Sequence, residues 1–216
     1  MILGIIPARG GSKGIPRKNI KKIAGKPLIA WTIESAKSSK LLDRFIVSTD
    51  DKEIAEISKR YGAEVLTRPM KYATDKSTTL SVLQYVLKKI PADTIVILQP
   101  TSPARDSGLI DYCIKRYMEK KSDTLATGFI CKFMEYGTYS ARRQDLKGFF
   151  YDDGNVYVIA ADLIKKGKMI GKRVERVEIS KEQNIEIDDK FDFWIVEKIL
   201  KKRNREVTDD KRFSDN

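Results

Sequence analysis

The stretch "FIVSTDDKEIAEISKRYGAEVLTRP", residues 45–69, contains the pattern of a strand, a helix and a second strand. Its apolar start predicts a strand, and Asp50 and Asp51 follow where a helix N-cap belongs, with further acids in the first helical turn. The apolar run before Arg68 predicts the second strand. Successive strands joined by a helix pair in parallel, so this unit predicts a parallel sheet.

The same alternation of short apolar runs and amphipathic stretches extends on both sides of this unit and is typical of an α/β fold. The predicted strands are 2–7, 44–48, 63–67 and 94–99, and the predicted helices are 27–38, 51–61, 77–90 and 107–120. Further strands are predicted in "DTLATGFI", in "NVYVIA" and near 173–179, followed by a closing helix marked by Phe191, Trp194, Ile195, Lys198 and Ile199. The polar segment from Arg203 is predicted to be frayed.

No internal repeat and no linker interrupts this order, so residues 1–216 are predicted to form one domain. After residue 122 the regular alternation of predicted strands and helices ends, and a loop of roughly twenty residues separates two predicted strands. Loops of that length commonly serve function or assembly. We therefore predict a short arm around 129–150.

Composition excludes several classes of function. The chain has no histidine, which excludes histidine-based acid–base chemistry and metal ligation, and two cysteines are too few for a disulfide framework or a thiolate zinc site. No apolar run is long enough to cross a bilayer, and the N-terminal residues lack the order of a signal peptide. A cytoplasmic enzyme that does not bind a membrane fits these features.

The net charge of +12 invites a nucleic-acid interpretation, with 42 Lys and Arg against 30 Asp and Glu. Most of the lysines are spread over predicted helix faces with acids between them, and no stripe interleaves basic and aromatic residues. We therefore expect no nucleic-acid partner. A non-catalytic basic nucleic-acid-binding protein is kept as the alternative from another functional class.

The stretch "IIPARGGSKGIPRKN", residues 5–19, concentrates positive charge directly behind the first predicted strand. Ligands of open parallel sheets bind at the carboxyl ends of the strands. The glycines would let backbone N–H groups approach an anion, and the four cations have no competing carboxylate within the stretch. The spacing is neither a P-loop nor a dinucleotide fingerprint. The pattern predicts a phosphate-binding loop, and an ordinary exposed turn is the alternative.

Seven segments together resemble the acylneuraminate cytidylyltransferases, the CMP-sialic acid synthetases. They are "PARGGSKGIPRKN", "GKPLIAWTIESA", the 45–69 stretch, "LQPTSPAR", "RRQD", "DDGNVYV" and "IEIDDKFDF". The resemblance covers nearly the whole chain. It implies a Rossmann-like nucleotidyltransferase fold, with a mainly parallel, mixed nucleotide-binding sheet between helices. It also implies coupling of CTP to a nine-carbon 2-keto acid sugar, with release of pyrophosphate, and an arm that forms a homodimer.

The resemblance implies a nucleotide site. The residues that would hold the triphosphate and the nucleotide are Arg9, Ser12, Lys13, Lys18, Asn19, Arg68, Ser77 and Thr79. Fixed cations suit a leaving pyrophosphate, on which negative charge develops. Ser77 could equally be a simple helix cap.

The resemblance also implies a site for the acidic sugar, formed by Gln99, Arg142, Arg143, Gln144 and Tyr157. A guanidinium group suits the C1 carboxylate that separates a 2-keto acid from an ordinary sugar phosphate. A surface salt bridge is the alternative for the arginines. Arg143 is the better candidate because it aligns with the arginine of the family.

A magnesium site is implied at "IEID", where the family commonly has two aspartates one residue apart. In this chain the pair is Glu186 and Asp188, which alternation directs to one face of an extended segment. The longer glutamate leaves direct and water-mediated ligation open, and Asp189 should point the other way. The residues expected to act in catalysis are Arg9, Lys13, Lys18, Arg143 and Asp188. The base that accepts the sugar proton would be Asp188 or a metal-bound water.

Two departures from the family limit what the resemblance implies. Asp153-Gly154 stands where Asn-Gly is common, near the expected sugar site, which leaves the identity of the acid sugar open. The segment between Ile130 and Arg142 is shorter than the usual arm. A nucleotidyltransferase that uses CTP or GTP and acts on an amino-sugar 1-phosphate is the alternative within the same chemistry.

Overall fold

The predicted α/β alternation is present in the computed structural model, which describes residues 1–138 and 142–214. Residues 139–141 of the predicted arm and the last two residues lie outside that description. The strands are β1 (Ile2–Pro7), β2 (Lys22–Ile23), β3 (Lys26–Pro27), β4 (Arg44–Thr49), β5 (Glu64–Thr67), β6 (Thr94–Leu98), β7 (Thr124–Cys131), β8 (Phe149–Ala160) and β9 (Val174–Glu178). The helices are α1 (Leu28–Ser38), α2 (Lys52–Arg60), α3 (Thr79–Lys89), α4 (Leu109–Glu119), α5 (Ala161–Lys165) and α6 (Lys190–Ser214).

Within the described residues, seven strands form one sheet in the order β5-β4-β1-β6-β8-β7-β9. All neighbours pair in parallel except at β8, which runs antiparallel to both β6 and β7. The fold class predicted from the sequence is therefore confirmed as a mainly parallel, mixed sheet.

The 45–69 stretch forms β4, α2 and β5 as predicted. Asp51 is the N-cap of α2, and its carboxylate accepts a hydrogen bond from the Ile54 N–H at 2.9 Å. This bond satisfies one of the backbone donors that a helix start leaves without a partner. Ile54 and Ile57 then face the sheet and are buried, which fixes the side of the sheet on which α2 lies.

Helices cover both faces of the sheet because successive strand residues point to opposite sides. Ile6 of β1 packs with α1, α2 and α4, whereas the adjacent Ile5 packs with α3 and α5. The same division holds for Val47 and Ile46 on β4. Each of these four side chains is fully buried, so the central strands are apolar on both faces.

The position of the functional cleft follows from the strand order. After β1 the chain moves to one side, to β4 and β5, whereas after β6 it moves to the other side through α4. The carboxyl ends of β1 and β6 therefore flank a topological switch point, where open α/β sheets bind their ligands.

The closing helix α6 continues to Ser214, so the expectation of a frayed segment from Arg203 was wrong for the described part. The segment after Ile199 contains no glycine or proline, and Arg203 fixes it by donating to the Ala104 carbonyl at 2.8 Å and pairing with Asp106 at 3.0 Å. None of the helices in the described part of the chain combines the length and hydropathy of a membrane span.

The hairpin of β7 and β8 is longer than predicted, since β8 begins at Phe149 rather than near Asn155. Its first half, "FFYDDG", alternates too weakly to indicate a strand and gains its order from pairing with residues 128–131. Among the described residues of the predicted arm around 129–150 are the end of β7 and the start of β8, and a role of this arm in dimerisation stays a prediction.

Candidate active site

A cleft of about 430 Å³ opens at the carboxyl ends of β1 and β6. It is lined by the basic loop after β1, by the segment before α3, by the residues that follow β6 and by the segment before α6. The predicted site residues that line it are Arg9, Ser12, Lys13, Lys18, Asn19, Arg68, Ser77, Thr79, Gln99, Glu186 and Asp188. The structure thus brings together the predicted nucleotide and metal residues and one predicted sugar residue.

The basic loop is held against the start of α6 and does not behave as a free turn. Ile15 is buried at its centre, and the Nδ2 group of Asn19 donates to the Arg9 carbonyl at 3.0 Å. Gly14 lies directly on the Asp188 carbonyl oxygen, so a Cβ atom at that position would clash with backbone. The loop can therefore approach this carbonyl only with glycine at position 14. Binding of the nucleotide by Asn19 stays a prediction.

The cations of this loop pair with carboxylates from other segments of the chain. The expectation that no carboxylate competes with a bound anion for them therefore holds only within the loop sequence. Arg17 binds Asp51 and Glu53 and does not line the cleft. Arg9 and Lys13 both bind Asp75, at 2.9 and 2.7 Å. These acids come from segments far along the chain, which composition of the loop alone does not show.

The expected convergence of loop N–H groups is also reduced. The Gly10 N–H donates to the Asp50 carboxylate at 3.3 Å. The Ser12 N–H turns back to the Gly10 carbonyl at 3.1 Å. Two of the loop N–H groups that were expected to face an anion therefore already have partners within the chain.

Arg68 is the most constrained cation of the cleft. It is only 5% exposed, and its Nε and Nη1 atoms have no hydrogen-bond partner among the described residues. The nearest carboxylate oxygen, on Asp50, is 3.9 Å from Nη2. Burial lowers the pKa of Arg68, and Arg9 adds to this effect while Asp50 opposes it. A buried guanidinium without full pairing is costly, and a bound anion would supply what it lacks.

The hydroxyl candidates lie at the start of α3. Thr78, not Ser77, is the N-cap, since its hydroxyl accepts from the Ser81 N–H. The capping alternative for Ser77 was therefore wrong. The Ser77 hydroxyl donates to the Lys71 carbonyl and fixes the turn before the helix. Ser77 and Thr79 both line the cleft, and their contact with the nucleotide stays a prediction.

Glu186 and Asp188 line the cleft from the same side, as strand-like alternation predicts. Ile187 between them is fully buried, and its N–H donates to the Thr101 carbonyl at 2.8 Å. Glu186 accepts from the Thr101 hydroxyl at 2.7 Å, and burial raises the pKa of this glutamate. Asp188 is largely exposed, with an oxygen 3.6 Å from the Lys18 ammonium.

This donor set fits a magnesium ion shared with a polyphosphate. Mg²⁺ prefers hard oxygen ligands and commonly takes one or two carboxylates, with phosphate and water completing the shell. Two carboxylates, those of Glu186 and Asp188, face the cleft. The described residues contain no group of three His, Cys, Asp or Glu side chains that could hold a metal ion without a ligand from the substrate or water. Asp189 points away and caps α6, accepting from the N–H groups of Phe191 and Asp192.

The four other residues predicted to bind the sugar do not line the cleft of this single chain. Arg142 pairs with Asp145 on the surface at 2.9 Å, and the Arg143 guanidinium lies 4.7 Å from the Phe133 ring centre. The Gln144 carbonyl accepts from Lys132. All three lie on the arm. Their sugar-binding role stays a prediction.

Tyr157 is half-buried and is not among the residues that line the cleft. It lies on β8, where its hydroxyl donates to Asp152 at 2.7 Å. Burial raises the pKa of Tyr157, and the bond to Asp152 raises it further. Its contact with the sugar stays a prediction, since it does not line the cleft.

A buried polar cluster around Arg105 and Asp153 was not identified from the sequence. Arg105 donates to the Asn155 side chain and carbonyl, both at 2.7 Å, and burial lowers its pKa to about 10. Asp153 accepts from Thr127 and from the Asn155 N–H, and it is 3% exposed. The residue that replaces the family asparagine is therefore buried among polar groups, and its nearness to the sugar site stays a prediction. The adjacent Gly154 has φ +70°, and a Cβ atom there would lie 3.2 Å from Glu186.

Comparison with known proteins identifies the family. A family profile described as Cytidylyltransferase matches residues 3–156. The chain belongs to the cytidylyltransferase family. The resemblance predicted from the motifs is thereby confirmed, and the family is one of nucleotidyl-transferring enzymes.

Relatives of this cytidylyltransferase carry names that specify acidic sugars. An N-acylneuraminate cytidylyltransferase from Escherichia coli O18:K1:H7 (strain RS218 / NMEC) is 32% identical, over 96% of this chain and 54% of its own. A CMP-N,N'-diacetyllegionaminic acid synthase from Legionella pneumophila is 30% identical, over 92% of this chain and 96% of its own. The chain thus spans about half the length of the first relative and nearly all of the second.

The fold of this cytidylyltransferase matches that of solved nucleotidyltransferases. A CMP:2-keto-3-deoxy-manno-octonic acid synthetase complexed with CTP aligns with a TM-score of 0.75 and 14% identity, over 94% of this chain and 99% of the other. At this identity the match supports the Rossmann-like nucleotidyltransferase fold alone.

Proposed function

We propose that the protein transfers a cytidylyl group from CTP to a nine-carbon 2-keto acid sugar, giving the CMP-sugar and pyrophosphate. The observation that carries this proposal is Arg68, a buried guanidinium with two unpartnered nitrogens in a cleft that also holds Arg9, Lys13 and Lys18. Such a set of cations suits a triphosphate. The acidic-sugar names of the relatives support the choice of acceptor.

In this reaction the anomeric hydroxyl of the sugar attacks the α-phosphorus of CTP in line. A bond forms between that oxygen and the α-phosphorus, and the bond to the bridging oxygen of the leaving pyrophosphate breaks. Arg9, Lys13 and Arg68 stabilise the charge that develops on the leaving group. Asp188 accepts the proton of the hydroxyl on a carboxylate oxygen, since its side chain is exposed to the cleft.

Glu186 and Asp188 would hold a divalent ion, which would neutralise phosphate charge when bound. Thr101 orients the Glu186 carboxylate by donating to one of its oxygens. Gly154 lies beside the same carboxylate, since a Cβ atom added at this glycine would be 3.2 Å from it. These contacts leave Glu186 little freedom, so it can present an oxygen to the cleft without a large loss of side-chain entropy.

The acid sugar and the dimer are proposed together. The arm carries exposed apolar side chains, a composition typical of a surface that a second copy of the chain covers. They are Ile130, Phe133, Met134, Tyr136, Phe149 and Tyr151. Arg143 lies among them over Phe133. In a homodimer the arm could reach a cleft that it does not reach in one chain. Because the reaction consumes CTP, we expect it to occur in the cytoplasm.

The test is a panel that measures pyrophosphate release. Each of CTP, UTP, GTP and ATP is paired with N-acetylneuraminate, legionaminate, pseudaminate and an amino-sugar 1-phosphate, with and without Mg²⁺. We expect release with CTP and an acid sugar only. Preference for the sugar 1-phosphate would overturn the acceptor class, and undiminished turnover in EDTA would overturn the metal role. Light scattering of the same sample reports the oligomeric state.

A further inference from the structure

Asp75 is the acidic side chain that faces the basic loop across the cleft. It lies in the turn before α3 and lines the cleft, and it was not among the residues predicted from the sequence. Its two carboxylate oxygens are divided between two cations: Oδ1 binds Arg9 at 2.9 Å, and Oδ2 binds Lys13 at 2.7 Å. One carboxylate therefore occupies two of the cations proposed to bind phosphate.

A structural role does not account for this arrangement. The Asp75 side chain is 53% exposed, and exposed ion pairs contribute little to stability. Nor does Asp75 extend the carboxylate pair of Glu186 and Asp188, since no group of three potential metal ligands occurs among the described residues. The two cations lower the pKa of Asp75, so it is ionised at neutral pH.

We propose that Asp75 is the internal counter-anion of the phosphate subsite, bound to Arg9 and Lys13 until a polyphosphate displaces it. This inference rests on the proposed function. A triphosphate or a pyrophosphate carries several negative charges and can displace a single carboxylate from the two cations. When pyrophosphate leaves, Asp75 binds the cations again. Asp75 thus lowers the affinity for CTP and for pyrophosphate by a similar factor, and the release of product is favoured.

The experiment compares Asp75→Asn with Glu53→Gln by calorimetric titration of CTP and, separately, of pyrophosphate, in EDTA and again with Mg²⁺. Glu53→Gln is the matched control. It removes the same charge from an acid that binds a basic-loop arginine, but Arg17 does not line the cleft. We expect Asp75→Asn to lower both dissociation constants about three- to tenfold, and Glu53→Gln to change them less than about twofold.

A second readout is the inhibition constant for pyrophosphate as a product, which should fall in Asp75→Asn by the factor seen in the titration. Asp75→Ser serves as a second variant, and thermal melting verifies that each variant is folded. Unchanged or weakened pyrophosphate binding in the folded variants would overturn the inference. If the wild type binds pyrophosphate but not CTP, the proposed nucleotide is wrong while the role of Asp75 is still tested. If it binds neither, both proposals fail.

Discussion

The cleft and the arm differ in the sequence separation of the residues that contact each other. The cleft is held together by contacts between distant segments, and the arginines of the arm contact residues close to them in sequence. In the cleft, the basic loop meets the segment before α6 through contacts such as that of the Lys18 ammonium with the Ile187 carbonyl. On the arm, Arg142 and Arg143 contact only near neighbours, Asp145 and Phe133. The cleft residues proposed to bind a polyphosphate therefore meet within one chain, whereas both arginines of the arm are exposed. If the proposed function holds, we expect the nucleotide site to belong to the single chain and the acceptor site to depend on a second copy.

The largest expected effect is at Arg68, on the cleft side of the comparison. We expect Arg68→Met to lower kcat/KM at least about a hundredfold, because a preorganised buried cation is lost from the phosphate site. The melting temperature should stay the same or rise, since methionine removes an incompletely paired buried charge and keeps the volume. Steady-state kinetics and a thermal melt measure the two. A large loss of stability with activity retained would show that Arg68 supports the fold and not the ligand.

The carboxylate pair should give the next largest effect. We expect Asp188→Asn to lower kcat about a hundredfold and Glu186→Gln to lower it less, because glutamine can still accept the hydrogen bond from Thr101. Activity is measured against Mg²⁺ concentration for each variant. Equal losses in both variants would mean that the two carboxylates contribute equally to the metal site.

On the arm side, Arg143→Ala should raise the KM for the acid sugar about ten- to a hundredfold and leave the KM for CTP nearly unchanged. A guanidinium that binds a carboxylate makes charge-assisted hydrogen bonds of roughly 1.5–3 kcal/mol. Arg142→Ala is the control, since Arg142 already forms a surface pair with Asp145, and we expect a smaller change. If dilution to monomers abolishes sugar binding but not CTP binding, the acceptor site requires the second chain and the nucleotide site does not. Wild-type kinetics of Arg143→Ala would show that the arm arginine does not bind the sugar.

The smallest expected effect is structural and concerns the N-cap of α2. Asp51→Ala should lower the free energy of unfolding by about 0.5–2 kcal/mol, whereas Asp51→Asn keeps the cap and should cost less. Arg17 lowers the pKa of Asp51 below its ordinary value of 3.8. The charge therefore stabilises the fold above pH 3.8, and this contribution is lost as pH falls through the lower folded pKa.

Urea unfolding of the wild type and both variants at pH 7 and near pH 3 measures this effect. The difference between the wild type and Asp51→Asn should shrink at the lower pH. A difference that does not depend on pH would show that the pair with Arg17 contributes nothing to stability.

The sequence predicts those parts of the molecule that depend on local patterns. The unit at 45–69 carries its own strand pattern, cap and helix stripe, and its elements form within a residue or two of the expected bounds. The alternation of Glu186, Ile187 and Asp188 likewise predicts which side chains share a face, because the period of an extended segment is local.

Features that depend on distant partners could not be predicted. Asp75 joins Arg9 across 66 residues, and Arg105 reaches Asn155 across 50. No pattern in the sequence indicates that these residues form pairs, since a charged side chain can equally well face solvent. The same limit applies to the arm. The motif of the arm predicts an arginine that binds the sugar carboxylate. The position of that arginine relative to the cleft depends on the pairing of β7 with β8, which the motif does not specify.

The contact between the basic loop and the start of α6 determines the stage of synthesis at which the cleft can assemble. Lys18 and Ile187 are 169 residues apart, so the basic loop is synthesised long before the segment that supports it. The strands of the parallel half can pair earlier, because domains emerge from the ribosome N-terminal end first. A nascent chain whose residue 188 has not yet emerged from the ribosome would have most of its sheet but no assembled cleft. Closing so long a loop is a slow step in folding, and binding of a polyphosphate at the finished cleft would shift the equilibrium toward the docked state.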